Sequence, residues 1–251
     1  MSIPRKIRCT VEHIINHGGQ VYTVDLVPAT SVPPFRPGQF LHLTVDDYDP
    51  AGFWPESRVF SIASSPSERR RIRVCYSVKG RYTTKMEQVL KVGGEVWIKL
   101  PYGDFVINGA NDAVLIAGGT GISAFTAFLQ SLTPQTVPHV TLIYGARTPA
   151  LFLFQDMILS QLEAVPQFDA VFFAENEDAP FTRQLAAHPK APACYAGRIS
   201  LDAILRLPPS VLPPPSSVFY LSGPPVMLST LSQQLQARGV SADLVRTDAW
   251  E

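Results

Sequence analysis

Apolar residues alternate with polar ones over the first hundred positions and then bunch into short runs. Gln39, Leu41, Leu43 and Val45 stand at even spacing, as do Ile72, Val74, Tyr76 and Val78, and then Val96, Ile98 and Leu100. A period of two is the mark of strands with one buried face. His17-Gly18-Gly19, Arg36-Pro37-Gly38 and Val92-Gly93-Gly94 separate these runs with turn residues. Several short strands so punctuated predict an antiparallel barrel. One helix interrupts it over 83–90, with Met86, Val89 and Leu90 expected on its inner face.

From Ala113 the rhythm changes. Short apolar strands are expected at 113–117, 140–144, 169–173, 218–221 and 244–246. Helical segments at 122–132, 151–162, 200–205 and 225–238 fall between them. In the last of these, Met227, Leu228, Leu231 and Leu235 form one stripe. Alternating strands and helices predict a parallel sheet covered on both faces. The fold class is therefore two-domain: an N-terminal antiparallel β-barrel followed by an α/β parallel-sheet domain. The boundary falls in the polar connection 106–111, giving domains 1–108 and 109–251. The proline-rich stretch 207–215 reads as a surface loop within the second domain, and no internal repeat is visible.

Composition narrows the picture. Of 251 residues 46% are hydrophobic and 17% charged, a globular balance. Basic and acidic residues number 21 each, so bulk charge favours neither nucleic acid nor an anionic membrane. The apolar run 113–129 is broken by Gly118-Gly119-Thr120-Gly121; a spanning helix needs about 20 apolar residues, so no membrane insertion is expected. Pro4, Arg5, Lys6 and Arg8 stand where a signal peptide would be apolar. Three scattered cysteines, Cys9, Cys75 and Cys194, suit a reducing cytoplasm. They exclude a plant-type iron–sulfur cluster in this chain, which needs a Cys-x4-Cys-x2-Cys run. The five histidines show no metal spacing.

Three segments carry candidate chemistry. Arg58-Val59-Phe60-Ser61 opens a run that ends in Ala63-Ser64-Ser65-Pro66; Gly118-Gly119-Thr120-Gly121 follows a buried strand and opens a helix; Ser222-Gly223-Pro224-Pro225 does the same further on. A guanidinium suits a pyrophosphate, an aromatic a flat ring system, and a glycine loop before a helix a dinucleotide phosphate. The glycine loop is not the G-x-G-x-x-G fingerprint. Each segment also has a plainer reading: a strand ending in a serine-rich turn, a bare glycine turn, and a helix cap followed by prolines.

In this order and spacing, from about Ile7 to Trp250, the motifs resemble the ferredoxin–NADP reductase superfamily. Arg36-Pro37-Gly38-Gln39-Phe40, Gly80-Arg81-Tyr82-Thr83-Thr84 and Leu100-Pro101-Tyr102-Gly103-Asp104-Phe105 match further landmarks of its barrel. The resemblance implies an NAD(P)H-dependent flavin oxidoreductase. Its barrel would bind FAD through Arg58, Val59, Phe60, Ser61, Val74, Tyr76, Gly80, Tyr82, Thr83 and Thr84. Its second domain would bind NADH or NADPH through Gly119, Thr120, Gly121, Arg147, Glu175, Ser222, Gly223 and Pro224. Ser61, Thr120, Ser222 and Trp250 would line the hydride path, with Trp250 shielding the flavin. Phe60 stands where most relatives have tyrosine, and Ser222 where many have cysteine.

In NADPH users of the family a basic or hydroxylated pair follows the third strand of this half. Here the sequence is Phe173-Ala174-Glu175-Asn176-Glu177, and a carboxylate there suits a ribose diol and repels a phosphate, so NADH is favoured. Electrons would pass to a separate acceptor, a ferredoxin or oxygenase component or free flavin. The alternative is an electron-transfer subunit of a larger redox complex, inactive alone. The basic run Glu68-Arg69-Arg70-Arg71-Ile72-Arg73 reads either as a surface that steers an acidic partner or as a solvated turn.

Overall fold

The alternation builds a six-stranded antiparallel sheet. In the computed structural model, which describes residues 3–136, 138–176, 192–208 and 216–248, its strands are β1 (Arg5–Asn16), β2 (Val21–Pro28), β3 (Phe40–Thr44), β4 (Arg58–Ser61), β5 (Ile72–Ser77) and β6 (Glu95–Tyr102). They lie in the order β4-β3-β6-β1-β2-β5. The two edges meet just past β4, where Ala63 N–H donates to the Arg73 carbonyl at 2.9 Å and the Arg73 N–H to Ser64 Oγ at 3.2 Å. The sheet thus curls into a near-barrel. Inward residues from alternating positions (Ile7, Cys9 and Val11; Leu41 and Leu43; Ile72, Val74 and Tyr76; Val96, Ile98 and Leu100) share one core.

Two side-chain ties fasten this unit. Register slips between Val11 and His13 on β1, a bulge that leaves Glu12 as the extra residue. Glu12 receives Arg71 Nε at 2.5 Å, and Asp25 receives both Nε and Nη2 of Arg73 at 2.6 and 2.8 Å. Two of the run's four arginines are therefore ion-paired on the barrel wall while staying partly exposed; Arg69 and Arg70 are exposed.

The helix α1 (Arg81–Val89) starts two residues earlier than expected and buries Tyr82 and Met86. That i, i+4 pair fixes its inner face. Leu90, just past its end, packs on the core, while Val89 turns outward at 45% exposure, contrary to the expected inner position.

The second unit is a parallel sheet: β7 (Ala113–Gly118), β8 (Val140–Ala146), β9 (Phe168–Ala174), β10 (Ala193–Ala196), β11 (Val218–Ser222) and β12 (Val245–Asp248), in the order β10-β9-β8-β7-β11-β12. Its helices are α2 (Ser123–Leu129), α3 (Gln155–Ala164), α4 (Leu201–Ile204) and α5 (Pro225–Ala237). Val114, Ile116, Ile143, Phe219 and Leu221 form a core with α4 and α5 residues Leu201, Ile204, Leu228, Leu231 and Leu235. Their neighbours Leu115, Leu142, Tyr144 and Phe172 are equally buried, and Phe152 stacks on Phe172 at 4.5 Å. Both faces of the sheet are covered.

The expected helix 151–162 starts only at Gln155, because Phe154 before it is left-handed (φ 58°). Strand β10, Ala-Cys-Tyr-Ala, was not expected; it has no β-branched residue to mark it. By packing, the chain divides into one unit through Val106 that also takes Thr126–Phe128, and a second formed by Ile107–Phe125 and residues from Leu129 on. Among the described residues no helix is long and apolar enough to cross a membrane.

Candidate functional site

In the barrel unit the chemistry collects where β4 and α1 begin. Arg58 opens β4 and Arg81 opens α1. Glu56 Oε1 lies 3.1 Å from Arg58 Nη2, and its Oε2 lies 3.1 Å from Arg81 Nη2. Tyr82 sits beneath them: the Arg58 guanidinium lies 4.8 Å from its ring centre, a cation–π distance. The Tyr82 hydroxyl donates to the Glu56 carbonyl at 2.9 Å and accepts from the Val45 N–H at 3.1 Å. A tyrosine 2% exposed thereby fixes the backbone of residue 56 beside the helix start.

Gly80 caps that helix without a side chain, so the first-turn N–H groups face outward with the helix dipole. Thr83 spends its hydroxyl locally: it accepts from the N–H groups of Lys79 and Gly80 at 2.9 and 3.1 Å. Its role is to hold the cap. Thr84 is half-buried on the same turn. This set of two guanidiniums, a cap lacking a side chain and an aromatic face suits a phosphate-bearing ligand.

Along β4, Val59 and Phe60 are half-buried and Ser61 is buried. Phe60 lies 6.1 Å from Tyr76 between ring centres, and Tyr76 stacks on Tyr22 at 5.3 Å. Burial and the nearby Tyr22 and Glu87 push the Tyr76 phenol well above its ordinary range, so it stays a neutral donor. Val74 is wholly inside the core and offers a ligand only its backbone. Burial pushes the thiols of Cys9 and Cys75 up to about 12, so neither is a nucleophile.

In the second unit the strand order reverses at β7: β8, β9 and β10 lie to one side, β11 and β12 to the other. The carboxyl ends of strands at such a switch point form the ligand crevice of open α/β sheets. The expected glycine loop and Ser222 both stand there. Gly121 is obligatory for close approach: a Cβ on it would lie 2.3 Å from the Ser222 carbonyl oxygen. Gly223 is likewise held against Gly118, whose backbone a Cβ would meet at 3.0 Å. Gly119 differs, being left-handed (φ 55°) with nothing within 4 Å of its Cβ position. It presents open backbone. Thr120 uses its carbonyl to accept from Ser123 Oγ at 2.8 Å, tying the loop to α2. Pro224 precedes α5 as its cap.

Ser222 Oγ donates to Asp248 Oδ2 at 2.9 Å, and both residues are 3% exposed. A buried carboxylate thus orients the serine at the strand end. Sequence reading gave Asp248 no role, because only the parallel pairing of β11 with β12 sets Ser222 opposite it.

Beyond β8 and β9, Glu175 N–H donates to the Ala146 carbonyl and Asn176 N–H to that of Arg147, which draws the two loops together. Glu175 also carries an ion pair with Arg198 Nε at 2.9 Å. A guanidinium from the segment after β10 thus answers the carboxylate expected to face a ribose diol. Arg147 is exposed. Trp250 and Glu177 lie outside the described residues, as does most of the proline-rich stretch.

Comparison with known proteins agrees with this layout. Residues 115–233 match the oxidoreductase NAD-binding domain. The chain is 29% identical over 206 residues to a flavohemoprotein of Deinococcus radiodurans, covering 81% of this chain and 48% of that protein. It is 27% identical over 222 residues to the propane 2-monooxygenase reductase component of Rhodococcus jostii, covering 85% and 55%. The chain thus spans about half the length of these curated relatives.

Among solved structures, a cytochrome P450 reductase of Amycolatopsis shares the fold with a TM-score of 0.78 at 22% identity, over 99% of this chain and 70% of that one. The flavohemoglobin-like FAD/NAD-binding domain of a Vibrio cholerae nitric oxide dioxygenase does so at 0.75 and 22%, over 97% and 98%. With an antiparallel near-barrel unit ahead of it, the sheet that carries residues 115–233 belongs to the oxidoreductase NAD-binding domain family, and the chain as a whole has the layout of a ferredoxin–NADP reductase-like oxidoreductase.

Proposed function

We propose that this chain is an FAD-dependent reductase that prefers NADH and hands electrons to a separate acceptor, a ferredoxin or oxygenase component or free flavin. The observation that carries the reading is the convergence of Arg58 and Arg81 on one carboxylate at the start of α1. The barrel has built a seat for negative charge on the strand that bears Phe60 and Ser61. Arg58, Arg81 and the first turn of α1 would hold the FAD pyrophosphate, with Phe60 and Ser61 toward its ring. FAD supplies a centre that accepts two electrons and releases them one or two at a time. Gly119, Thr120, Ser222, Gly223 and Pro224 would hold the nicotinamide dinucleotide at the switch point, and Asp248 would fix the Ser222 hydroxyl.

An anaerobic absorbance titration of the FAD-loaded chain tests this. Bleaching of the flavin bands by NADH, at lower concentration than by NADPH, is expected. A chain that takes up no FAD, or keeps its flavin oxidised under excess NADH, would refute it.

The preference for NADH rests on Glu175, whose carboxylate both suits a ribose diol and occupies Arg198. Glu175→Ser releases that guanidinium, and about a tenfold shift of kcat/KM toward NADPH is expected. An unchanged ratio in steady-state assays would remove Glu175 from the specificity argument. The relatives named as reductase or electron transfer components of oxygenase systems favour a protein acceptor. An obligate subunit of a larger complex, active only with its partners or with artificial acceptors, is the second reading.

A further inference from the structure

Glu56 stands where a ligand's charge is wanted. It lies two residues before Arg58 and accepts from Arg81 Nη2 at 3.1 Å through Oε2 and 3.3 Å through Oε1. The same Oε1 takes Arg58 Nη2 at 3.1 Å, while Arg58 Nη1 donates to the Ser57 carbonyl at 2.8 Å. Two positive groups thus share one carboxylate, and the cluster keeps a net positive charge. The backbone of residue 56 is pinned by the Tyr82 hydroxyl, but the glutamate side chain beyond it is about two-fifths exposed. It can swing out without moving the chain.

We infer that Glu56 is a built-in competitor for the flavin phosphates: a tethered carboxylate that occupies the Arg58–Arg81 seat and must be displaced when a phosphate-bearing flavin binds. This rests on the reading of the barrel as the flavin site and deepens it, since it sets how tightly flavin is kept. A carboxylate carries one negative charge and a pyrophosphate two, so the ligand wins the exchange. The cost of breaking two exposed ion pairs is nonetheless subtracted from its affinity. Arg81 is essential to the device. With Arg58 alone, Glu56 would have a single exposed partner and little hold.

The test measures dissociation constants of FAD, FMN and riboflavin for the wild type, Glu56→Gln, Arg81→Gln and the double variant, by flavin fluorescence. Glu56→Gln should bind FAD about fivefold more tightly and FMN more tightly as well, with riboflavin unchanged because it has no phosphate. In the Arg81→Gln background the gain should shrink, a coupling that a double-mutant cycle reads directly.

Equal FAD affinity in wild type and Glu56→Gln would overturn the inference while leaving the flavin reading intact. Weaker FAD binding by Glu56→Gln would also overturn it, making Glu56 a holder of the guanidiniums. A gain extending equally to riboflavin would do the same. Failure of every form to bind any flavin would remove the flavin reading and the inference together. The two residues changed, Glu56 and Arg81, are exposed, and buried Tyr82 is left unchanged, so folding is checked simply by matching melting temperatures.

Discussion

Replacing Gly121 by alanine tests the backbone contact on which the proposed nicotinamide site is built. The added Cβ would lie 2.3 Å from the Ser222 oxygen, 2.5 Å from its carbonyl carbon and 2.7 Å from the Gly223 nitrogen. Contacts of carbon below 3.0 Å do not occur, so the two loops must part by at least 0.7 Å (3.0 minus 2.3). Ser222 has little room to yield, because β11 is paired with β7 on one side and β12 on the other.

Overpacking of this kind costs about 1–3 kcal/mol, and meeting backbone on both sides puts Gly121→Ala near the top of that range. For a chain of this size about 3 kcal/mol lowers the melting temperature by roughly 6–12 °C. Gly119→Ala is the control. Its Cβ meets nothing within 4 Å, and its left-handed backbone costs only about 1 kcal/mol, or roughly 2–4 °C. Differential scanning fluorimetry separates the two, and NADH dissociation constants should weaken more for Gly121→Ala. Melting temperatures that are equal, or ranked the other way, would refute the close-approach argument.

Three further outcomes follow from the same structure. Asp25→Asn removes the carboxylate that grips Arg73 through two nitrogens; a buried pair broken on one side costs about 3–5 kcal/mol, tempered here because Arg73 is partly exposed, and urea unfolding should show a loss near the lower bound. Ser222→Ala deletes a hydroxyl donated to a buried carboxylate, so a cost of about 1.5–3 kcal/mol is expected, with NADH oxidation slowed more than NADH binding is weakened; wild-type turnover would deny Ser222 a place on the hydride path. Burial holds His17 and, with help from Lys99, His42 below the ordinary imidazole range. The unfolded chain then takes up protons first as pH falls, so barrel stability should decline from about pH 6.5 downward. His42→Gln should flatten that decline in thermal melts between pH 5 and 7.5.

Much of the architecture was legible because it depends on local periodicity. Leu41 and Leu43, or Ile72 and Val74, alternate in sequence because they alternate in space. The strand runs of the second unit stood out because both faces are buried. What depends on pairing between distant segments was not legible. Asp248 faces Ser222 only through the β11–β12 register, Arg198 reaches Glu175 only across the sheet edge, and Glu56 matters only because α1 brings Arg81 beside β4. The ion pairs of the basic run are hidden for a similar reason: the partners of Arg71 and Arg73 are Glu12 and Asp25, 59 and 48 residues away.

The thiols have a practical corollary. Burial pushes the thiols of Cys9 and Cys75 up to about 12, so both stay protonated near neutral pH, and both are sealed in the wall of the first unit. Cys194, half-buried on the outermost strand of the second sheet, is left as the natural handle for a maleimide dye or spin label. Burial raises the Cys194 thiol too, so labelling at a mildly alkaline pH should put one probe on the second unit of the unmodified polypeptide, for following its movements by spectroscopy.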